Sequence, residues 1–217
     1  MRKSSSKIVI FILIISTLLL QACSLKLTKK DLYSIETIKV VRYKTPDLHV
    51  KTLTGVVINL VGGGAIVPTV VASTIDKNKG KKATKDTIMP DYGELLMKDF
   101  TEIVKAEIPG WPIMTAVNNP VERGYKYKDG AFILFDIHTM WLTIVGGLTI
   151  DGDMVMTNSN GDKIFKKHFF YRSRDFNLKK SQREYVANNC EQLIAEVPLA
   201  AEHTARDIII NNLKESL

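Results

Sequence analysis

The stretch "GAFILFDIHTMWLTIVGGLTIDGDMVMTNSNGDKIFKKHFFYRSRDF", Gly130 to Phe176, reads as three strands in succession. Gly130–Val145 is a long strand in which Phe132, Leu134 and Asp136 recur with a period of two, the spacing of side chains on one sheet face. Gly146-Gly147 breaks it, and "LTIDGDMVMTN" forms a second strand. "NSNGDK" then reverses the chain, and its Asn160-Gly161 pair predicts a type I′ hairpin turn with positive φ at both central residues. "IFKKHFFYRSRDF" returns as a third strand, with Phe165, Lys167 and Phe169 again at alternate positions. The result is an antiparallel meander. Its aromatics, Phe132, Phe135, Trp141, Phe165, Phe169, Phe170 and Tyr171, fit a sheet core, with a ligand-binding face as the alternative.

The flanks supply what covers that sheet. Upstream, "MPDYGELLMKDFTEIVKAEIPGW" carries Leu96, Phe100, Ile103, Val104 and Ile108 at helical spacing, with Leu95 beside the stripe. Pro90 suits the first turn, Asp91 and Glu94 favour the positive end, and Pro109-Gly110 stops the helix. "WPIMTAV" and "IETIKVVRYKT" (Ile35–Thr45) are further strands, the second ended by Pro46. Downstream, Ser181–Leu217 is helical. Glu184, Val186, Leu193 and Ile194 share one face, and Ala200, Ala201, Thr204, Ile208 and Asn212 continue a similar one. Pro198 either kinks this helix or opens a second. The expected class is α+β: a mainly antiparallel sheet with helices on one face, forming a single domain over 35–217.

Between the first strand and the first helix lies an outlier. Thr52–Ile75, "TLTGVVINLVGGGAIVPTVVASTI", contains no charge and is interrupted by Gly62-Gly63-Gly64 and Pro68. Lys77, Lys79, Lys81, Lys82 and Lys85 follow at once. Such a stretch is several times the usual strand length of about 5–6 residues. Two apolar arms meeting at the glycines predict a hairpin in contact with a membrane or a partner, through residues such as Val57, Gly62, Gly63, Gly64, Pro68 and Val70. Each arm is too short to cross a bilayer as a helix. The lysines would then face anionic headgroups. The alternative is a buried hairpin with a basic loop.

The N-terminus begins "MRKSSSK", continues through an apolar run from Ile8 to Leu20, and reaches Ala22-Cys23. This is the layout of a secretory signal peptide. Leu20, Ala22 and Cys23 resemble the lipobox of bacterial lipoproteins, with Gln21 a tolerated departure. The resemblance implies a signal peptide over 1–22 and a Cys23 thiol that receives diacylglycerol. It further implies cleavage before Cys23, acylation of the new amino group, and a tether over 23–34. More than one acyl chain gives stable anchoring. Ser24 in place of an aspartate favours the outer membrane of a Gram-negative envelope, with the domain facing the periplasm. The alternative is an ordinary secreted protein cut near Ala22.

Loss of Arg2, Lys3 and Lys7 on maturation takes 30 basic residues to 27 against 23 acidic ones, a mild net charge of +4. Nucleic acid is not the expected partner. With Cys23 acylated, Cys190 has no cysteine partner in its own chain. It reads as a small core residue on a helix, with an intermolecular disulfide or reactive thiol as the alternative. His49, His138, His168 and His203 are scattered and read as surface residues; no metal or cofactor is expected. "DGD" (Asp151–Asp153) and "NSNGD" lack calcium-loop spacing and read as turns and strand edges. There is no phosphate loop, dinucleotide fingerprint or nucleophile elbow, so catalysis is not expected.

The meander, with its "GDKIFKKHFFYRS" strand, and the long C-terminal helix are similar in pattern to a broad set of small periplasm-facing lipoproteins. That set includes the curli-secretion lipoprotein, the lipoprotein activators of peptidoglycan synthases and auxiliary lipoproteins of lipid-trafficking transporters. The similarity spans roughly 35–217 and carries no diagnostic motif. It implies a non-enzymatic domain that assembles with itself or with envelope partners. The alternative is a periplasmic ligand-binding or transporter-auxiliary lipoprotein.

Overall fold

The computed structural model describes residues 27–53, 56–61, 65–70, 73–76, 89–122, 130–143, 147–178 and 180–217. In chain order its elements are α1 (Lys29–Tyr33), β1 (Thr37–Arg42), β2 (Leu48–Leu53), β3 (Val56–Val61), β4 (Ala65–Val70) and β5 (Ser73–Asp76), then α2 (Tyr92–Glu107), β6 (Ile113–Ala116), β7 (Ala131–Leu142), β8 (Leu148–Thr157) and β9 (Lys163–Arg172), and finally α3 (Gln182–Val186), α4 (Glu191–Ile208) and α5 (Lys214–Ser216). The class is α+β, as expected.

β7 is the spine of a seven-stranded sheet. On one side β8 runs antiparallel to it, and β9 runs antiparallel to β8, which is the expected meander. On its other side β1 and β2 lie end to end, separated by the stretch around Pro46. Both are parallel to β7: Ile38–Arg42 against Ala131–Phe135, then Leu48–Val50 against Met140–Leu142. Beyond them, β6 is parallel to β1 and β5 is antiparallel to β2. The sheet is therefore mixed, which corrects the expectation of a mainly antiparallel one. Three of its six pairings are parallel. A parallel neighbour needs a crossover. α2, standing between β1 and β6, supplies one.

Both long helices cover one face. α2 buries Tyr92, Leu96, Met97, Phe100 and Val104, at spacings close to those expected. Phe100 meets Phe135 of β7 edge-on at 5.3 Å between ring centres. α4 buries Leu193, Val197, Ala200, Ala201 and Ala205. The Tyr92 hydroxyl donates to Thr204 Oγ1 at 2.8 Å, a polar link from α2 to α4. Asp91, rather than Pro90, caps α2: its carboxylate accepts from the amides of Gly93 and Glu94.

The ends of the chain depart from expectation. The segment read as a tether is docked from Leu27 onward. Leu27 and Leu32 are buried, and Thr28 and Asp31 close a capping box that starts α1. At the C-terminus the chain does not break at Pro198, which lies inside α4 on its solvent side. It breaks at Ala187–Cys190, so Val186 is exposed and Tyr185 is the buried residue of α3. Cys190 is buried as expected, but it caps α4 with φ +64 instead of lying within a helix.

Candidate functional site: an uncharged ribbon and a polar sheet face

β3 and β4 form a two-stranded antiparallel sheet of their own. Its register extends that of β2 and β5. The outer pair runs from Val50↔Asp76 to Leu53↔Ser73, and the inner from Val56↔Val70 to Val61↔Ala65. From Leu53 to Val56 and from Ser73 back to Val70 each strand advances three residues, so nothing is gained or lost between the two ladders. The two ladders therefore share one register, and the inner one ends at Val61 and Ala65. At about 3.3–3.4 Å per residue, each six-residue strand of the inner ladder is about 20 Å long.

The register pairs Val56 with Val70, Ile58 with Pro68, Leu60 with Ile66 and Val61 with Ala65. Pro68 removes one donor from β4, which a two-stranded ribbon tolerates because each strand has a free edge. The predicted hairpin arms are therefore strands, and Val57, Pro68 and Val70 belong to them. Gly62, Gly63 and Gly64, Lys77, Lys79, Lys81, Lys82 and Lys85, and Cys23 lie outside the described residues. Among the described residues no helix is long and apolar enough to cross a membrane.

The ribbon leaves the sheet where β7 ends: Val50 lies opposite Leu142. The N-terminal segment docks at the other end, where α1 and the segment just after α2 line a shared groove through Lys29, Leu32, Ile108 and Trp111. Ile38, just beyond α1, lies opposite Ala131, the first residue of β7.

The face of the meander away from the helices carries a polar cluster that sequence reading left scattered. Asp136 and His138 come from β7, Asp151 and Asp153 from β8, and Lys166 and His168 from β9. Cross-strand pairing aligns Asp136 with Asp153, and Asp153 with His168. His168 Nδ1 is 3.1 Å from Asp153 Oδ1, and His168 Nε2 is 3.2 Å from Asp151 Oδ1. His138 Nε2 lies 3.5 Å from Asp153 Oδ2, and Lys166 Nζ donates to that oxygen at 2.8 Å. Burial pushes the Asp153 carboxyl up. The hydrogen bonds from Lys166 and His168, with the charges of Lys166 and His138, outweigh that and hold it below the usual carboxylate range.

"DGD" is thus neither a turn nor an edge but the middle of β8. Its aspartates point to the polar face, and Gly152 lies beneath Phe169. A Cβ at Gly152 would sit 2.5 Å from the Phe169 ring and 2.6 Å from the Asp136 carbonyl oxygen. The signal available in sequence was three i, i+2 polar pairs, Asp136/His138, Asp151/Asp153 and Lys166/His168, on consecutive strands.

Two features complete the helix side, one buried and one open. Glu196 accepts from the Tyr171 hydroxyl at 3.0 Å and takes short hydrogen bonds from Ser173 and Tyr185. This cage joins β9, α3 and α4. An open groove of about 320 Å³, lined by Phe170, Phe176, His203, Arg206 and Ile210 among others, runs beside it. Phe176 stacks on both Tyr171 and His203 there.

No family model matches this chain, and no curated protein matches it. Among solved structures it is similar to a Xanthomonas campestris protein described by the family model DUF330. They are 10% identical, with 80% of this chain and 82% of that one covered and a TM-score of 0.40. It is also similar to an uncharacterized protein at 12% identity, covering 85% and 95% of the two chains with a TM-score of 0.34. Both likenesses are too loose to bear on function.

Proposed function

We propose that the protein is a non-enzymatic assembly component of a bacterial envelope, anchored through acylated Cys23 to the periplasmic side of the outer membrane. Its ribbon, β3 and β4, is the surface that joins it to copies of itself or to an envelope protein. The observation that carries this reading is that the β3–β4 ladder keeps the register of the β2–β5 ladder, within a sequence with no charge from Thr52 to Ile75. A two-stranded ribbon has two free edges, and no charged residue occurs in the sequence of β3 or β4. Isolated two-stranded hairpins are marginal in water. Exposed apolar strand edges are templates for pairing with another chain.

Placement favours a protein partner over the anchor's own membrane. Leu27 is buried, and four residues of chain reach at most about 14 Å, so Cys23 stays near the α1 end. The ribbon's strands leave the sheet at the opposite end of β7, whose twelve residues span about 36 Å at strand rise. That departure lies far from the lipid.

The test uses the mature chain with Cys23 replaced and an ordinary signal peptide for export. Mass in solution, flotation with anionic vesicles and thermal melting are measured for it and for Val57→Asp and Val70→Asp. The reading expects oligomers that both aspartates disperse while the melting temperature holds. Vesicle flotation that falls with added salt, in a monomer, would transfer the surface to lipid and to Lys77–Lys85. A monomer that ignores vesicles and melts earlier with either aspartate would make the ribbon ordinary core.

A further inference from the structure

We propose that His138, Asp153 and His168 form a binding site for a divalent transition metal of the zinc class. One donor atom from each of the three residues lies within 4.8 Å of the other two. The donors of a tetrahedral zinc centre stand about 3.3 Å apart, given metal–ligand bonds of about 2.0–2.1 Å. One edge already approaches this value, 3.5 Å between His138 Nε2 and Asp153 Oδ2, and His168 Nδ1 meets the other oxygen of that carboxylate, Oδ1, at 3.1 Å. The edges to His168 close by rotation of its ring, which stacks on that of His138 with 6.4 Å between centres.

Backbone geometry builds the set. His168 and Asp153 are direct cross-strand partners. His138 is the extra residue of a bulge in β7: the ladder steps from Ile137↔Gly152 to Thr139↔Asp151 and leaves His138 unpaired. A bulge re-aims a side chain. Here it delivers a second imidazole toward a carboxylate on the neighbouring strand. Alternation alone would have spaced the polar rows evenly.

The surroundings suit a cation. Asp136 Oδ2 lies 3.6 Å from His138 Nε2, and Asp151 reaches both imidazoles. Thr139 Oγ1 in turn donates to Asp151 Oδ2 at 3.2 Å. Asp151 faces His138 Nδ1 and His168 Nε2, the imidazole nitrogens that do not bind metal, and can accept from them, which orients a ligating histidine and raises its basicity; Asp136 adds negative charge beside the metal-facing Nε2 of His138. Against three carboxylates the strands set one ammonium, Lys166, which holds the Asp153 oxygen that the metal would take. Two nitrogens and one oxygen are borderline donors, which match zinc, cobalt(II), nickel(II) or copper(II) better than calcium or magnesium. Three protein ligands leave the fourth position to water.

The experiment titrates Co²⁺ into the metal-stripped mature protein and follows the visible absorption of four-coordinate cobalt, with Zn²⁺ as competitor. The expected result is one equivalent bound, a cobalt spectrum that Zn²⁺ abolishes, and a rise in melting temperature with added Zn²⁺. His138→Ala and His168→Ala should each weaken binding tenfold or more, whereas His49→Ala and His203→Ala leave it unchanged. Lys166→Ala should tighten it. Asp153→Asn, nearly isosteric, gives the same loss as the histidine variants with the fold monitored by circular dichroism. Binding that is absent, or equal in the wild type, His138→Ala and His168→Ala, would overturn the proposal.

Discussion

At Gly152 a single missing Cβ lets the Phe169 ring lie flat against β8, so this position tests the inner side of the meander. Replacing Gly152 with Ala forces the Asp136 backbone or the Phe169 ring to move, a form of overpacking that costs about 1–3 kcal/mol. A chemical denaturation midpoint that does not change would mean that the strands absorb the methyl. Three buried phenols set a second residue-level expectation. Burial raises Tyr92 against its bond to Thr204. Burial raises Tyr171, helped by the negative Glu196, and it raises Tyr185, helped by its hydrogen bond to Glu196. Folded values above the ordinary phenol value of about 10 mean that the unfolded chain loses these protons first. Their contribution is fully present below that pH and is lost as pH rises beyond it, by up to about 1.4 kcal/mol per pH unit for each phenol. Denaturation midpoints should therefore fall progressively as pH rises above about 10, and Tyr185→Phe should flatten the slope.

Among the elements, the turn from β8 to β9 is more elaborate than its Asn-Gly pair suggested. Only Gly161 takes positive φ, at +85. The reversal spans Asn158–Asp162, and Asn158 Oδ1 accepts from the amides of Asn160 and Asp162, both at 2.9 Å. A longer loop with one left-handed glycine replaces the type I′ turn, and the ladder shifts register beside it. Gly161→Val should still cost about 1–3 kcal/mol in backbone strain, read as a lowered melting temperature. A Cβ there meets nothing within 4 Å, so a loss would isolate the backbone contribution. The meander and α2 were legible because their periodicity and stop signals are local. The C-terminal break was not. Pro198 is a strong breaker in isolation, yet it lies on the solvent side of α4, while Asn188 and Cys190, both left-handed, separate α3 from α4.

For the molecule as a whole, sequence reading found the layers and missed how they join. β1 and β2 pair with β7 across roughly ninety intervening residues, and nothing local to Thr37–Arg42 announces a parallel partner so distant. The polar cluster was hidden for the same reason. His138, Asp153 and His168 converge only after two hairpin registers and one bulge are known. The uncharged segment was legible as an outlier and as a hairpin, but not the register its ladder shares with β2 and β5. The anchor rests on sequence, and its test stands apart from the fold. Cys23→Ser should leave unprocessed precursor and abolish incorporation of labelled palmitate; labelling equal to the wild type would end the lipoprotein reading.

The end-to-end arrangement of β1 and β2 along β7 also has a mechanical consequence. Under the proposed anchoring, tension between the lipid and a partner on the ribbon would enter at the start of β1 and leave beyond the end of β2. Both strands run parallel to β7, so that pull lies along the strands and across their hydrogen bonds. The β1–β7 and β2–β7 ladders would then be loaded in shear, many bonds at once, whereas a pull across the sheet would open them one by one like a zipper. The Pro46 break divides the load between two short ladders in series. A domain built this way resists force along its tether axis better than its equilibrium stability alone implies.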